Sequence, residues 1–287
     1  MQPVTYQALE DEFGDVVGKS RRGQELSHRE LSATTGISVS DLEAIEAYEG
    51  RTDDDVVPRL ARDLGLHPDK LKDSALAAFF PTEPHADGER SSGLEVRMLV
   101  LGTDFLMNGY LAICRQTRRA AVIDPGFQPE RMLQVAAQAE AEVVSVWLTH
   151  GHYDHVDAVS DIVEATGAVA AISAADLELA GNRARHMAER LVPGVHLSVG
   201  EQAFHVQATG GHTPGGVSFV HDEGAAFVGD ALFAGSLGGT KRRADYAGQK
   251  TAVADGLLSL PPSTTLYPGH GPATTVAEER AHNPFFL

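Results

Sequence analysis

Hydrophobic and polar positions divide the chain into two parts with different periods. Over residues 1–80 apolar residues recur at helical spacing, whereas beyond residue 93 short apolar runs of strand length alternate with helical stretches. Residues 81–93, between them, combine turn formers and charges without apolar periodicity. The pattern predicts a small all-α domain over 1–80, a linker over 81–93 and a larger α/β domain over 94–287.

Three short helices are predicted in the first domain. Ser27 and Glu30 have the spacing of a capping box, and the helix that follows them ends at a turn at Gly36. Further helices are predicted from about Ser38 to Glu46 and from about Val56 to Leu64. Together they indicate a compact helical module.

Nine strand-like runs and four helical runs are predicted in the larger domain. The strands are predicted over 94–101, 109–115, 120–124, 143–149, 169–172, 204–208, 217–221, 225–228 and 264–267. The helices are predicted over 129–142, 155–166, 174–180 and 246–258. Because helices separate strands in both halves, the pattern favours a layered α/β fold and leaves the arrangement of the sheets open.

Composition narrows the classes of function. The 287 residues are 43% hydrophobic, enough for a buried core, and the formal net charge is −17. Such a chain does not attract nucleic acid or an anionic membrane through bulk electrostatics. The single Cys114 lies in an apolar run and is expected to be a buried strand thiol. Without a signal-like N-terminus or an apolar run of membrane-spanning length, we expect a cytoplasmic protein that makes no membrane contact.

A cluster of ligand-type side chains follows one predicted strand. The run 146–155 reads VWLTHGHYDH, so His150, His152, Asp154 and His155 lie directly before a predicted helix. Imidazole and carboxylate are preferred ligands of zinc and also bind iron and manganese. Their close spacing lets them converge on an ion without closing a long loop. The sequence therefore predicts a metal site here.

Three further candidate ligands also lie at the ends of predicted strands. His212 lies in TGGHTPGG, Asp230 in VGDALF and His270 in YPGHGP. A single glycine-flanked histidine is more often a turn residue than a ligand. Three such positions at strand ends, added to the first cluster, favour one shared site.

These motifs together resemble the ligand signature of the metallo-β-lactamase superfamily over about residues 94–287. The resemblance implies an αββα sandwich with the site at the edge between two sheets. It implies that Asp230 bridges two metals, of which the first is bound by His150, His152 and His212 and the second by Asp154, His155 and His270. The expected cofactors are two divalent ions, zinc first, with iron or manganese as alternatives.

The chemistry of such a site follows from its charge density. Two divalent ions beside one water lower its pKa, so that a metal-bridging hydroxide can attack a carbonyl while an ion stabilises the oxyanion. Asp154 is the candidate catalytic residue, because it could orient the hydroxide or take up a proton besides acting as a ligand. The prediction is a metal-dependent hydrolase of a small-molecule ester or thioester.

Within the superfamily, GHTPGG, GDALFAGS and the terminal NPFFL are most similar to glyoxalase II and its short bacterial relatives. Those enzymes hydrolyse thioesters such as S-lactoylglutathione. Long-type glyoxalase II continues into a helical region that helps to hold glutathione, whereas this sequence ends at Leu287, so we do not expect glutathione itself as the thiol carrier. The NPFFL tail is expected to close the hydrophobic core.

One basic run offers candidate substrate-binding residues in an otherwise acidic domain. Lys241, Arg242 and Arg243 follow the predicted bridging residue Asp230 and could hold a carboxylate or phosphate. A solvated loop is the alternative, because charge runs are usually solvated faces.

Two other enzyme classes share much of this ligand set. A persulfide dioxygenase of the same superfamily would hold one iron through the equivalents of His150, His212 and Asp230, although the Pro-Gly-His-Gly around His270 points away from that branch. A lactonase would use a similar set. Both stay open at the level of sequence.

The first domain resembles the helix-turn-helix of the lambda-repressor-like family over about residues 10–75. In that family the second helix of the motif enters the major groove, but here residues 38–49 carry four acidic residues and no Lys or Arg. Residues 1–80 hold 9 Lys and Arg against 16 Asp and Glu, which argues against DNA binding. We expect the module to mediate homo-oligomerisation or to pack on the larger domain. A transcriptional regulator with a ligand-sensing metallo domain is the non-enzyme alternative.

Overall fold

The computed structural model describes residues 6–50, 55–82 and 93–287. Residues 83–92, most of the predicted linker, therefore lie outside the described residues. Five helices come first along the chain: α1 (Phe13–Gly23), α2 (His28–Thr35), α3 (Val39–Glu46), α4 (Val56–Leu64) and α5 (Pro68–Ala75). The boundaries of α2, α3 and α4 agree with the three helices predicted from the sequence.

The strands form two six-stranded sheets. The first sheet has the order β1-β2-β3-β4-β5-β6 and the second the order β12-β11-β10-β9-β8-β7. The strands of the first sheet are β1 (Leu94–Leu101), β2 (Met107–Cys114), β3 (Arg119–Ile123), β4 (Glu142–Trp147), β5 (Val169–Ser173) and β6 (Met187–Leu191). Those of the second are β7 (His196–Val199), β8 (Gln202–Ala208), β9 (Val217–His221), β10 (Ala225–Gly229), β11 (Thr265–Pro268) and β12 (Thr274–Thr275). Strands β3 to β6 run parallel, and so does the pair β10 and β11.

Helices cover the outer faces of both sheets. The helices of this part are α6 (Pro129–Gln138), α7 (Tyr153–Val156), α8 (Val159–Thr166), α9 (Leu177–Ala180), α10 (Arg243–Asp255) and α11 (Val276–His282). Helices α6 and α8 pack on the first sheet, whereas α10 and α11 pack on the second. The inner faces of the sheets meet through aromatic side chains such as Phe204, Phe219 and Phe227. The layers are those of an αββα sandwich, as the resemblance implied. No helix of the described ranges has both the length and the apolar character that a membrane crossing requires.

Strand β10 illustrates why these strands are almost continuously apolar. Ala225 and Phe227 point into the core between the sheets, whereas Ala226 and Val228 point outward to the cluster that contains α10. Successive strand residues face opposite sides of a sheet, and here both sides are buried. The polar side chains that follow such strands therefore lie at the rim of the sandwich.

The N-terminal helices share one hydrophobic cluster with the outer layer of the second sheet. Val17 and Leu60 belong to the same cluster as Tyr246 of α10 and Phe285 of the C-terminal tail. The tail, which was expected to close the core, does so. It also contacts the N-terminal helices, because Lys70 Nζ donates to the Phe286 carbonyl at 2.7 Å. The predicted helical domain thus packs directly on the larger one.

The sequence pattern did not predict several elements correctly. The helix predicted over 155–166 was wrong as a single element, because it is broken into α7 and α8. The predicted helix over 174–180 begins as a 3₁₀ turn. Six elements were not predicted from the sequence: α1, α5, α11, β6, β7 and β12. In α1 the glycines lower helix propensity, but a Cβ at Gly14 would lie 2.4 Å from the Ile45 carbonyl oxygen, so contact between α1 and α3 requires glycine there. Strands β6 and β7 are edge strands with exposed polar residues, which weakens their alternation.

We expect Phe285→Ala to lower the free energy of unfolding by about 3–5 kcal/mol, because truncating a buried aromatic ring leaves a cavity. The ring is 1% exposed, within the cluster that joins the N-terminal helices to the larger domain. Urea denaturation followed by circular dichroism measures the change. Phe80→Ala is the matched control, since Phe80 is 44% exposed and should cost less than about 1 kcal/mol. Equal losses from both variants would contradict this placement of the tail.

Candidate metal centre

The structure brings all seven predicted ligand residues together at one edge of the sandwich. They lie on four connections: the segment after β4 and helix α7 carry His150, His152, Asp154 and His155; the loop before β9 carries His212; the turn after β10 carries Asp230; and the turn after β11 carries His270. Five of the seven are buried, and only His152 and His212 are half-buried. The mouth of the centre therefore lies on the side of these two histidines.

One group of donors combines three histidines with Asp230. Donor atoms of His150, His152, His212 and Asp230 lie within 4.8 Å of one another. His212 Nε2 is 2.9 Å from His152 Nδ1 and 3.3 Å from Asp230 Oδ2. The distance from Asp230 Oδ2 to His150 Nε2 is 3.8 Å. These are the residues that the resemblance assigned to the first metal and the bridge.

A second group lies on the other side of Asp230. Donor atoms of Asp154, His155 and His270 also lie within 4.8 Å of one another. His155 Nε2 is 3.3 Å from His270 Nε2 and 3.4 Å from Asp154 Oδ2. Asp230 reaches this group as well, because its Oδ1 is 3.4 Å from His155 Nε2. One carboxylate therefore has an oxygen near each group.

The donor set fits a bound metal. His150 Nε2 and Asp230 Oδ1 are buried and have no hydrogen-bond partner among the residues that the structure describes. An unsatisfied buried polar atom is costly, and a cation between the groups would satisfy both. Two nitrogens bound tetrahedrally to one zinc at 2.0–2.1 Å would be roughly 3.3 Å apart, which is the separation of the Nε2 atoms of His155 and His270.

Burial and the mixed charges shift the pKa values of the centre in opposite directions. Burial, with the neighbouring imidazoles, lowers the pKa of His150 well below its usual value. Burial alone would raise the pKa of Asp230, but the histidines around it, His270 foremost, hold it lower. Burial would lower the pKa of His155, yet the carboxylates of Asp230, Asp124 and Asp154 raise it well above its usual value. The lowered pKa of Asp230 and the raised pKa of His155 favour opposite charges in the centre, where a cation and protons compete for the same donors.

Backbone carbonyls and Asp124 fix the orientation of three of the imidazoles. His212 Nδ1 donates to the Gly239 carbonyl at 2.8 Å, and His270 Nδ1 donates to the Leu106 carbonyl at 2.8 Å. His155 Nδ1 lies 3.0 Å from Asp124 Oδ2. When Nδ1 is engaged in this way, Nε2 is left to face the centre, the usual arrangement of metal-binding histidines.

Asp124 is a buried functional residue that the sequence interpretation missed. Its Oδ1 accepts from the Thr149 amide at 2.8 Å and its Oδ2 from the Thr149 hydroxyl at 2.6 Å, in addition to its contact with His155. It therefore braces the end of β4 against the ligand helix α7. The available signal was its place at the end of the predicted strand 120–124, where the other candidate ligands also lie.

Asp176 braces two ligand loops and was also missed. It is fully buried, and it accepts from the Gly151 amide at 2.9 Å, the Thr213 hydroxyl at 2.7 Å and the Gly215 amide at 2.7 Å. These bonds tie the loop of His150 and His152 to the loop of His212. The residue lies inside a run that was predicted as helix, so no sequence pattern singled it out.

The glycine before His270 is required by close packing. A Cβ at Gly269 would lie 2.1 Å from Asp230 Oδ1 and 2.6 Å from His155 Cε1. Any side chain there would displace the carboxylate that lies between the two groups. The Pro-Gly-His-Gly motif is thus a packing requirement as well as the carrier of a candidate ligand.

The three basic residues predicted to bind substrate have different surroundings. Arg242 bonds to Asp245 at 2.6 and 2.9 Å, and Arg243 donates to the Gln24 carbonyl at 2.6 and 3.1 Å. Lys241 lines a cleft of about 560 Å³ between the N-terminal helices and the Gly239 loop. The run does not act as one unit, because two of its three side chains have protein partners.

Exposed apolar side chains border the centre on another side. The ring of Phe105 lies 5.1 Å from that of His270, and Phe105 is 48% exposed. Leu106 and Tyr153 are also exposed. The rim can therefore contact an apolar part of a substrate.

Comparisons with known proteins agree with this architecture. A hydroxyacylglutathione hydrolase of Haemophilus influenzae is 30% identical over 185 residues, which cover 58% of this chain and 87% of that protein. A probable metallo-hydrolase of Streptococcus pyogenes is 34% identical over 187 residues, 58% of this chain and 80% of that protein. The solved structure of TTHA1623 in a di-iron-bound form is 36% identical with a TM-score of 0.55, over 66% of this chain and 99% of that one.

A family profile identifies the superfamily of the chain. The profile of the metallo-β-lactamase superfamily matches residues 107–270, more than half of the chain. All seven candidate ligands lie within the matched range, on the connections at one edge of the sandwich. The chain belongs to the metallo-β-lactamase superfamily.

Proposed function

We propose that this protein is a metal-dependent hydrolase that cleaves a thioester, or an ester, in the manner of glyoxalase II. The observation that carries the proposal is the convergence of seven donor residues around two buried atoms without hydrogen-bond partners, His150 Nε2 and Asp230 Oδ1. The similarity to a hydroxyacylglutathione hydrolase supports the thioester class. Membership of a superfamily that contains metallo-hydrolases supports hydrolysis in general.

The proposed roles of the donors follow their two groups. His150, His152 and His212 would hold one divalent ion, and Asp154, His155 and His270 a second, with Asp230 between them. When bound, such ions would lower the pKa of a water molecule and polarise the substrate carbonyl. Mixed imidazole and carboxylate donors suit zinc first, and the di-iron form of a similar protein makes iron the main alternative.

Asp154 is proposed as the catalytic carboxylate. Burial would raise its pKa, but hydrogen bonds with His155 and His270 outweigh burial and hold the pKa below its usual value. An ionised carboxylate at this position can accept a hydrogen bond from the attacking water and orient it. Asp124 and Asp176 are proposed to hold the ligand loops in place through their hydrogen bonds.

The surroundings of the centre suggest how a substrate is held. The exposed ring of Phe105 and the side chain of Leu106 suit an apolar part of the acyl group. Of the basic run, Lys241 remains the candidate for an anionic group of the carrier, since Arg242 and Arg243 have protein partners.

The helix-turn-helix resemblance of the N-terminal helices remains a prediction. On α3, the helix that would enter the major groove, Asp41 and Glu43 are exposed, while Glu46 is paired with Arg21 and Arg22. Such a surface repels phosphate, which supports packing on the enzyme, not operator binding, as the role of the module.

The proposal is tested by elemental analysis combined with an activity panel. We expect the purified protein to contain about two equivalents of zinc, iron or manganese and to hydrolyse S-lactoyl thioesters, with activity lost on chelation and restored by metal. The same panel should include an acyl-homoserine lactone, and a persulfide with oxygen uptake, because a lactonase or dioxygenase would be identified there. Less than one equivalent of metal together with no activity would refute the proposal.

Ligand and bracing residues should respond differently to substitution. We expect His212→Ala and Asp154→Ala each to abolish turnover and lose metal while circular dichroism stays unchanged. Asp124→Asn should lower metal affinity by about 10- to 100-fold, because it removes the carboxylate that orients His155. Competition with a chromophoric chelator measures the affinities.

Matched controls exist for both types of variant. His196 is exposed and Asp222 is 76% exposed, so His196→Ala and Asp222→Asn should leave metal affinity and turnover unchanged. Metal loss from either control, or full metal binding by His212→Ala, would count against the proposed ligand set.

A further inference from the structure

The loop that follows Asp230 is buried although it belongs to no helix or sheet. We call residues 231–240 the Asp230 loop. All of them are buried except Gly239, which is half-buried. Backbone N–H and C=O groups withdrawn from water need hydrogen-bond partners, which a helix or a pair of strands supplies from its own backbone. Most of the partners of this loop therefore have to come from side chains of other elements.

Side chains from four positions bind the backbone of the Asp230 loop. The bonds are 3.0–3.1 Å long and join Gln249 to the Ala231 and Gly238 carbonyls, Asn283 to the Ser236 carbonyl, Glu279 to the Gly235 amide, and Lys19 to the Leu237 carbonyl. Three of the four side chains belong to the larger domain and follow the loop in the chain. Lys19 comes from α1, so the N-terminal helices take part in fixing a ligand-bearing connection.

Lys19 contacts the Asp230 loop at three points. Besides its bond to Leu237, its Nζ lies 4.6 Å from the centroid of the Phe233 ring. A Cβ built on Gly239 would lie 4.0 Å from Cγ and Cε of Lys19, so the aliphatic stem passes beside that glycine. The side chain is only 16% exposed, and its ammonium pairs with the buried carboxylate of Asp11. Asp11 thus holds Lys19 in the position from which it binds the loop.

The Asp230 loop in turn contacts two candidate ligands. The Gly239 carbonyl accepts from His212 Nδ1 at 2.8 Å, so the position of this carbonyl sets the direction in which Nε2 of the ring points. A Cβ at Gly238 would clash with the carbonyl oxygen of Asp230 and lie 3.1 Å from His212 Nδ1. The backbone is therefore packed against both ligands, and a displaced loop would turn the imidazole of His212.

The start of the described chain also reaches the turn that carries His270. The Tyr6 hydroxyl donates to Asn108 Oδ1 at 2.7 Å, and Asn108 Nδ2 donates to the carbonyls of Pro268 and Gly271 at 3.0 and 2.8 Å. These two carbonyls lie on either side of His270 in the chain. Residues of the N-terminal part are thus linked to two of the four ligand-bearing connections.

We propose that the N-terminal helices complete the metal centre, and that Lys19 is a positioning residue that acts on His212 through the backbone of residues 237–239. The inference rests on the proposed metal-dependent function and assigns the helical module a part in metal binding beyond packing. Without the Lys19 ammonium the buried Leu237 carbonyl loses this donor. The two glycines that follow, Gly238 and Gly239, have no side chains that would keep the backbone in place.

The first test is the affinity of the full-length protein for zinc. A hydrogen-bond partner that binds a metal ligand directly contributes about 10- to 100-fold to the affinity. Lys19 acts through one further backbone link, so we expect Lys19→Met to lower zinc affinity by about three- to tenfold. Competition with a chromophoric chelator measures the loss. Lys19→Arg, which can still donate to the Leu237 carbonyl, should keep most of the affinity.

Lys70→Met is the matched control. Lys70 is a buried lysine of the same helical module, and its Nζ donates to a backbone carbonyl of the larger domain, that of Phe286, at 2.7 Å. This carbonyl lies in the C-terminal tail and not in a ligand loop. In urea denaturation Lys70→Met should therefore lower the free energy of unfolding, as Lys19→Met does, whereas zinc affinity should stay unchanged.

A double variant separates the bond to the loop from the ion pair. Lys19→Met leaves the carboxylate of Asp11 buried without its cation, which by itself destabilises the protein. Asp11→Asn, added to Lys19→Met, removes that charge but does not replace the donor to Leu237. We expect the double variant to recover part of the stability and to keep the loss of zinc affinity.

Cobalt substitution reports on ligand geometry without turnover. The visible absorption of Co²⁺ depends on the arrangement of its ligands, so Lys19→Met should change the spectrum of the cobalt-loaded protein and Lys70→Met should not. If the wild-type protein binds metal but hydrolyses no thioester or ester, the proposed reaction fails, and the zinc and cobalt measurements still decide the role of Lys19.

Three results would overturn the inference. One is a zinc affinity of Lys19→Met equal to that of the wild-type protein. Another is an equal loss of affinity in Lys70→Met, which would mean that any weakening of the interface affects the centre. The third is recovery of affinity in the double variant, which would assign the effect to the unpaired carboxylate of Asp11.

Discussion

The structure depends on holding polar donor atoms, buried and partly unsatisfied, at the edge of two packed sheets. His150 and Asp230 each keep one buried atom without a hydrogen-bond partner in the described structure, which by itself destabilises the fold. Hydrogen bonds elsewhere offset this cost. Asp124 and Asp176 between them fix two of the four ligand-bearing connections through bonds of 2.6–3.0 Å. A cation that binds this centre also contributes to folding stability, because it satisfies atoms that have no hydrogen-bond partner in the described structure.

This constraint explains which parts of the site could be predicted from the sequence. Asp230 and His270 follow strands that are buried on both faces, so their polar character contrasts sharply with an apolar run. His150 to His155 lie close together along the chain. Asp124 and Asp176 act through bonds to residues 25 to 39 positions away, and such pairings leave no local pattern. The fold class was predictable because its buried strands also read as apolar runs. The edge strands β6 and β7 were not predictable, because their exposed polar residues obscure the alternation of apolar and polar positions.

The relation between the two parts of the chain was the least predictable feature. Composition indicates two units separated by a polar stretch, and the helices of the first unit do form where capping and periodicity place them. Their packing partners, however, are Tyr246 and Phe285, which in the sequence look like ordinary core residues of the larger unit. An interface of this kind resembles the interior of a single domain, so hydrophobicity alone cannot distinguish it from one.

Electrostatic balance links this interface to the proposed chemistry. Two divalent ions would bring four positive charges to the centre, against which Asp154, Asp230 and the nearby Asp124 set three negative ones, so before a hydroxide forms at the ions one positive charge would remain in a buried place. The acidic surface of the chain compensates for that excess at longer range. The helical module, with 16 acidic against 9 basic residues over 1–80, contributes to that field, and its carboxylates thereby lower the electrostatic cost of binding the metal.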